Sequence, residues 1–186
     1  MMMARTVTGG DSFCYVQPYI SRSGHSAGLA LIHRGQYPVY DAQLRVKDLS
    51  KPDPVTENGG VHWEDLLPGM TTIALGNIAH NSGVRIVERL TLPSGDMADF
   101  NLFFSARNGA WVENVAFRKI HGQWTYAYRV FVPQAQGDVI LRWAKDEGFP
   151  ADRLPWLVGP EQQLPNTALE PAARDGEKRR GSARGR

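Results

Sequence analysis

The residues most suggestive of chemistry are Gly24-His25-Ser26-Ala27-Gly28, a match to G-x-S-x-G. In an α/β-hydrolase this elbow lies between a strand and a helix and presents the serine as nucleophile. The segment before Ser26 is strand-like, but Leu29–Arg34 leaves only six residues before Gly35, with Pro38 close behind. That is too short for the elbow helix. A glycine- and serine-rich strand connection explains the match without chemistry, and a serine hydrolase using Ser26 stands as an alternative.

Histidines lie at 25, 33, 62, 80 and 121. None of them is spaced i, i+4 on a helix or H-x-H on a strand, as a local metal site requires. His121 precedes Gly122 and reads as a turn residue. Cys14, the single cysteine, lies in a strand pattern and reads as a small buried hydrophobe. No catalytic, metal or cofactor residues are assigned.

Aromatic residues raise a carbohydrate reading, since exposed rings stack on sugar faces. Trp111, Trp124, Tyr126 and Tyr128 fall on the expected core face, where packing is their first explanation. Trp63, Trp143 and Trp156 lie outside the clearest strands. Glu113 is the odd member of the core face, between Trp111 and Val115. A buried carboxylate must be paired or take up a proton. The expectation is a structural pair with an arginine of the facing sheet, Arg45, Arg85 or Arg89.

These residues need elements to hold them, and the pattern is antiparallel β. Phe100, Leu102, Phe104 and Ala106 alternate with Asn101, Phe103, Ser105 and Arg107, then Asn108-Gly109 supplies a two-residue turn signal. Alternation resumes at Trp111, Glu113, Val115 and Phe117, and His121-Gly122 leads into Trp124, Tyr126, Tyr128, Val130 and Val132. This predicts a three-stranded meander pairing Ala106 with Trp111, Leu102 with Val115, Phe117 with Tyr126 and Val115 with Tyr128. The opposite face collects Asn101, Ser105, Asn114, Arg118, Thr125 and Arg129.

Ser12–Ile20, Ala27–His33 and Val39–Asp48 read as earlier strands. Thr71–Ile78 and Val84–Leu92 read as a hairpin around Asn81-Ser82-Gly83. Leu49–Met70 is a long Pro- and Gly-containing connection, and Val139–Glu147 reads as a short helix in preference to an edge strand, because its alternation fails. The count suits an all-β antiparallel sandwich of seven to eight strands. Its domain spans 12–132, with an extension at 133–169 packing on or near it and a disordered basic tail at 170–186.

Length and composition agree. The chain has 186 residues, 19 Gly and 12 Pro, a turn-rich balance for one domain. Its formal charge is +2. The tail holds six basic and three acidic residues, so the remainder is close to neutral. Lys178, Arg179, Arg180, Arg184 and Arg186 offer an anionic partner a contact, nucleic acid among the alternatives. The plainer reading is a solubilising tail. Met1–Gly10 has no apolar core of a secretion signal, so the expected compartment is the cytoplasm.

The run Tyr40-Asp41 through Arg45-Val46-Lys47-Asp48-Leu49, followed by FNLFFSARNGAW at Phe100–Trp111, resembles immunoglobulin-like β-sandwich modules of uncharacterised bacterial proteins. The resemblance covers residues 12–132 and implies a fold, with no catalytic residues to carry over. Relatives of that kind often carry the module after a membrane or coiled-coil segment, which this sequence lacks. The Cys–Trp–Cys pattern of antibody domains is also missing. The resulting expectation is a non-enzymatic binding or interaction module for a protein partner, engaged through edge strands, the 49–70 loop or the tail.

Overall fold

The structure is a computed structural model that describes residues 11–51, 69–150 and 152. Nine strands succeed one another: β1 Phe13–Ile20, β2 Ser26–Arg34, β3 Val39–Asp48, β4 Met70–Ile78, β5 Arg85–Thr91, β6 Met97–Ala106, β7 Gly109–Ile120, β8 Gln123–Val132 and β9 Val139–Lys145. All pair antiparallel, as a three-stranded sheet β1-β2-β5 and a six-stranded sheet β4-β3-β6-β7-β8-β9. Among the described residues no helix is long and apolar enough to cross a membrane.

Period-two alternation decides what each sheet buries. Leu44 and Val46 of β3, Phe100, Leu102 and Phe104 of β6, and Trp111, Val115 and Phe117 of β7 face one core. Val16 of β1, Ala27, Leu29 and Leu31 of β2, and Leu90 of β5 meet them from the smaller sheet. Aromatic rings fill the middle: Phe104 stacks on Trp111 at 5.6 Å and Tyr15 on Tyr128 at 5.7 Å.

The free edge of β1 is closed by side chains of the other sheet. The Val16 N–H donates to Glu113 Oε2 at 2.9 Å, and Trp111 Nε1 donates to the Cys14 carbonyl at 2.7 Å. Asn108 Nδ2 donates to the Ser12 carbonyl. Trp111 and Glu113 lie two apart on β7 and so share a face. One supplies a donor and the other an acceptor, as a neighbouring strand's backbone would. Pro18 falls on the same side of β1 as Val16, so its missing N–H interrupts no pairing with β2.

The meander is present, with one change of register. The β7–β8 turn is His121-Gly122, with φ of 50° and 80°, and it pairs Phe117 with Tyr126 and Val115 with Tyr128 as expected. The β6–β7 turn uses Arg107-Asn108, so Phe104 pairs with Trp111 and Leu102 with Glu113. Long-range bonds select this turn: Arg107 N–H donates to the Tyr40 carbonyl, and the Asn108 carboxamide is held by Ser12. The pairing moves by two residues, so no side chain changes face.

Two further expectations are corrected. β4 and β5 are not a hairpin: β4 pairs with β3 and β5 with β2, in different sheets. The link at 79–84 crosses the sandwich, and Arg85 Nη2 bonds back to the Leu75 carbonyl at 2.9 Å. Residues 139–145 form a strand, not a helix, and it extends the larger sheet. A register shift at Val130/Phe131 leaves Leu141 unpaired, and this bulge breaks the alternation that would have marked a strand. Among the described residues the strand count is accordingly nine. Most of the 49–70 connection, with His62 and Trp63, lies outside the described residues, as do Trp156 and the tail at 170–186.

Candidate functional site

At the end of the sandwich where β1 turns into β2, three connections surround a basin of about 700 Å³. The β1–β2 loop contributes Arg22, Ser23 and His25, the β5–β6 link Ser94, and the β7–β8 turn region Lys119 and Gln123. Trp124 forms part of the wall. Both sheets therefore supply the rim.

Local bonds fix the first loop. The Ser21 N–H donates to the Ser26 carbonyl at 2.8 Å, and the Gly24 N–H to the Ser21 carbonyl at 2.9 Å. Gly24 has a φ of 70°, a region a side chain resists, and a Cβ there would lie 3.9 Å from the Trp124 ring. Ser21 and Ser23 hydroxyls bond to each other at 3.0 Å. The other walls are tied in by the backbone. Leu92 N–H donates to the His25 carbonyl at 3.0 Å, and Lys119 N–H to the Asp96 carbonyl at 2.8 Å.

The basin is cationic. Arg22 and Lys119 line it, and among the described residues no Asp or Glu does. Neither cation has a carboxylate partner among the described residues; the ion pairs are Lys51–Asp48, Arg107–Asp41, Arg118–Asp99 and Arg129–Asp138. The Lys119 ammonium stands 5.6 Å from the centre of the Trp124 ring. Two smaller depressions differ: one includes Asp48 and Glu88, the other Asp99 beside Arg129.

The G-x-S-x-G segment is divided by this geometry. Gly24 and His25 line the basin, whereas Ser26 opens β2 and pairs with Thr91. Ser26 leads directly into a strand, so the strand–turn–helix of a nucleophile elbow is not formed. His33 and His80 lie 5.8 Å apart, each bonded to a backbone carbonyl, of Tyr37 and Gly35. His121 is an exposed turn residue. Among the described residues no group of three or more His, Cys, Asp or Glu is placed to hold a metal ion.

Trp111 and Tyr128 are core residues, Tyr126 is half-buried, and Trp124 is only 8% exposed. Trp124 therefore gives the basin an edge and not a stacking platform. Trp143 is half-buried on β9, and its indole N–H has no partner among the described residues.

Glu113 is fully buried, at 0% exposure, as the sequence indicates. Its partner is the Val16 amide and not an arginine: none of Arg45, Arg85 or Arg89 pairs with it. Glu113 reaches the edge of β1, whose backbone offers a donor, while Arg85 and Arg89 lie on β5 at the far side of that sheet. Burial pushes the Glu113 carboxyl well above 4.5, which the Val16 N–H only partly opposes. Its Oε1 has no hydrogen-bond partner among the described residues. Cys14 is buried beside it, and burial pushes the thiol up to about 12. That thiol is inert near neutral pH.

Sequence reasoning gave Arg22, Ser94, Lys119 and Gln123 no role. They lie in or beside three separate connections and share no local spacing. The only sequence sign was the density of Ser and Gly at 21–28. The chain matches no protein-family model, no curated protein and no solved structure.

Proposed function

We propose that this chain is a non-enzymatic binding module, an immunoglobulin-like sandwich that takes a small ligand at its loop end. The observation that carries the reading is the basin of about 700 Å³, built from connections of both sheets. That volume lies within the range of small-molecule sites, roughly 300–1,000 Å³. Loops held by a rigid sandwich are where binding residues commonly collect. The immunoglobulin-like reading is supported by connectivity. Strands β1-β2-β5 face β4-β3-β6-β7, an arrangement of seven strands that such sandwiches use, and β8-β9 then extend the larger sheet.

The absence of a helix after Ser26 weighs against the hydrolase alternative. The low exposure of Trp124 weighs against flat stacking of a sugar on its ring. The test is amide NMR of the full chain against a panel of small sugars, amino acids and phosphate compounds. A true ligand shifts the amides of Ser23, Gly24, Ser94 and Gln123 together. Ligands that move only residues away from the basin would overturn the reading.

A further inference from the structure

We infer that the basin takes a small ligand bearing an oxyanion, a carboxylate or a phosphate, clamped between Arg22 and Lys119. The inference rests on the binding-module reading and adds the chemistry of the ligand.

Charge is the first argument. Two permanent cations line one cavity, with no acid among the described lining residues and no carboxylate partner for either among the described residues. Where cations do meet carboxylates they pair closely: Arg107 meets Asp41 at 2.5 Å and Arg118 meets Asp99 at 2.8 Å. Holding two like charges in one cavity without a counter-charge is repulsive, and an anion relieves it.

Donor geometry is the second argument. Guanidinium offers a planar pair of N–H groups that suits a two-oxygen anion, and ammonium adds a compact charge. Arg22 lies in the β1–β2 loop of one sheet and Lys119 near the end of β7 in the other, so an anion between them is gripped from both sides. The hydroxyls of Ser23 and Ser94 and the carboxamide of Gln123 complete a polar lining. Such groups suit the remaining oxygens of a phosphate or the hydroxyls of a sugar acid. The Trp124 edge provides one apolar wall.

The test uses the full chain and three probes: inorganic phosphate, glucuronate and glucose. Calorimetry and amide NMR should show phosphate or glucuronate binding at Ser23, Gly24 and Ser94, with glucose binding at least tenfold more weakly. Tighter binding of glucuronate identifies a sugar acid, and tighter binding of phosphate identifies a phosphate ester. Arg22→Gln and Lys119→Gln should each weaken the anion about tenfold, and raised NaCl should weaken it further. Arg22 is exposed, so Arg22→Gln should retain the parental thermal midpoint and report on binding alone. If glucose binds as tightly as the better of the two anions, or if both variants bind anions unchanged, the oxyanion inference is overturned. In that case the basin can still be a site for neutral ligands. If nothing in the wider panel shifts a basin amide, both readings fall.

Discussion

Two regions of this molecule concentrate polar atoms, and they treat them in opposite ways. Along the seam between β1 and β7, the Glu113 carboxyl and Trp111 indole meet a backbone N–H and a carbonyl, away from water. At the loop end, Arg22 and Lys119 meet no carboxylate among the described residues and face an open basin. Buried polar groups must find partners, so the seam uses its polarity to hold one sheet against the other. The basin's polarity does little for the fold, which leaves it for a ligand. Substitutions in the first region should therefore change stability, and those in the second should change binding.

The largest effect is expected at Glu113. Glu113→Ala leaves the Val16 N–H without its acceptor and opens a cavity, a loss of about 3 kcal/mol or more by denaturant titration. A loss below the error of that titration would remove the seam from the account of stability.

The pH dependence tests the same residue without deleting it. The Glu113 carboxyl is raised in the folded state, so the fold holds a proton that the unfolded chain releases near 4.5. Stability from this group is complete below that pH and falls as pH rises, by at most about 1.4 kcal/mol per pH unit. Glu113→Gln keeps an acceptor for Val16 and cannot ionise. Its thermal midpoint should exceed the parent's at neutral pH, with the gap closing towards pH 4. Parallel pH curves for the two proteins would mean that folding does not raise the Glu113 carboxyl.

Trp111→Phe retains most of the ring packing on Phe104 but removes the donor to the Cys14 carbonyl. It should cost about 1–2 kcal/mol, less than Glu113→Ala, because a carbonyl tolerates partial satisfaction better than an amide. On the basin side, Arg22→Gln should shift stability by no more than about 0.5 kcal/mol while weakening the anion. A large loss of stability from Arg22→Gln would erase the contrast between the regions.

Much of the fold was legible because strand alternation is a local signal. The main core face of β6, β7 and β8 came from spacing alone, including Glu113 among apolar neighbours, whereas the smaller buried cluster of Ala116, Ala127 and Phe149 on the opposite face did not. The turn at His121-Gly122 was legible because both residues adopt the positive φ that the pair favours. The turn at Asn108 was not, since its choice rests on bonds to Ser12 and Tyr40, far away in sequence. Likewise β5 could not be assigned to the opposite sheet from its own residues, and the bulge at Leu141 hid β9. The partner of Glu113 was missed because a backbone amide carries no sequence signature. The basin was illegible for a related reason: its charges are brought together only by the folding of three separate connections.

The side-chain closure of β1 has a consequence for synthesis. Glu113 lies 97 residues after Val16, so the first strand is made long before the residues that cover its edge. At roughly 5–20 residues per second on the ribosome, the interval is on the order of 5–20 s. During that time the β1–β2 hairpin can form, but the Val16 amide and Cys14 carbonyl face solvent, and Leu29 and Val16 have no opposing sheet. A nascent chain paused in this window should expose an unpaired strand edge, the feature that invites wrong pairing. Pro18, which offers no donor on that edge, shortens the stretch on which a foreign strand could pair.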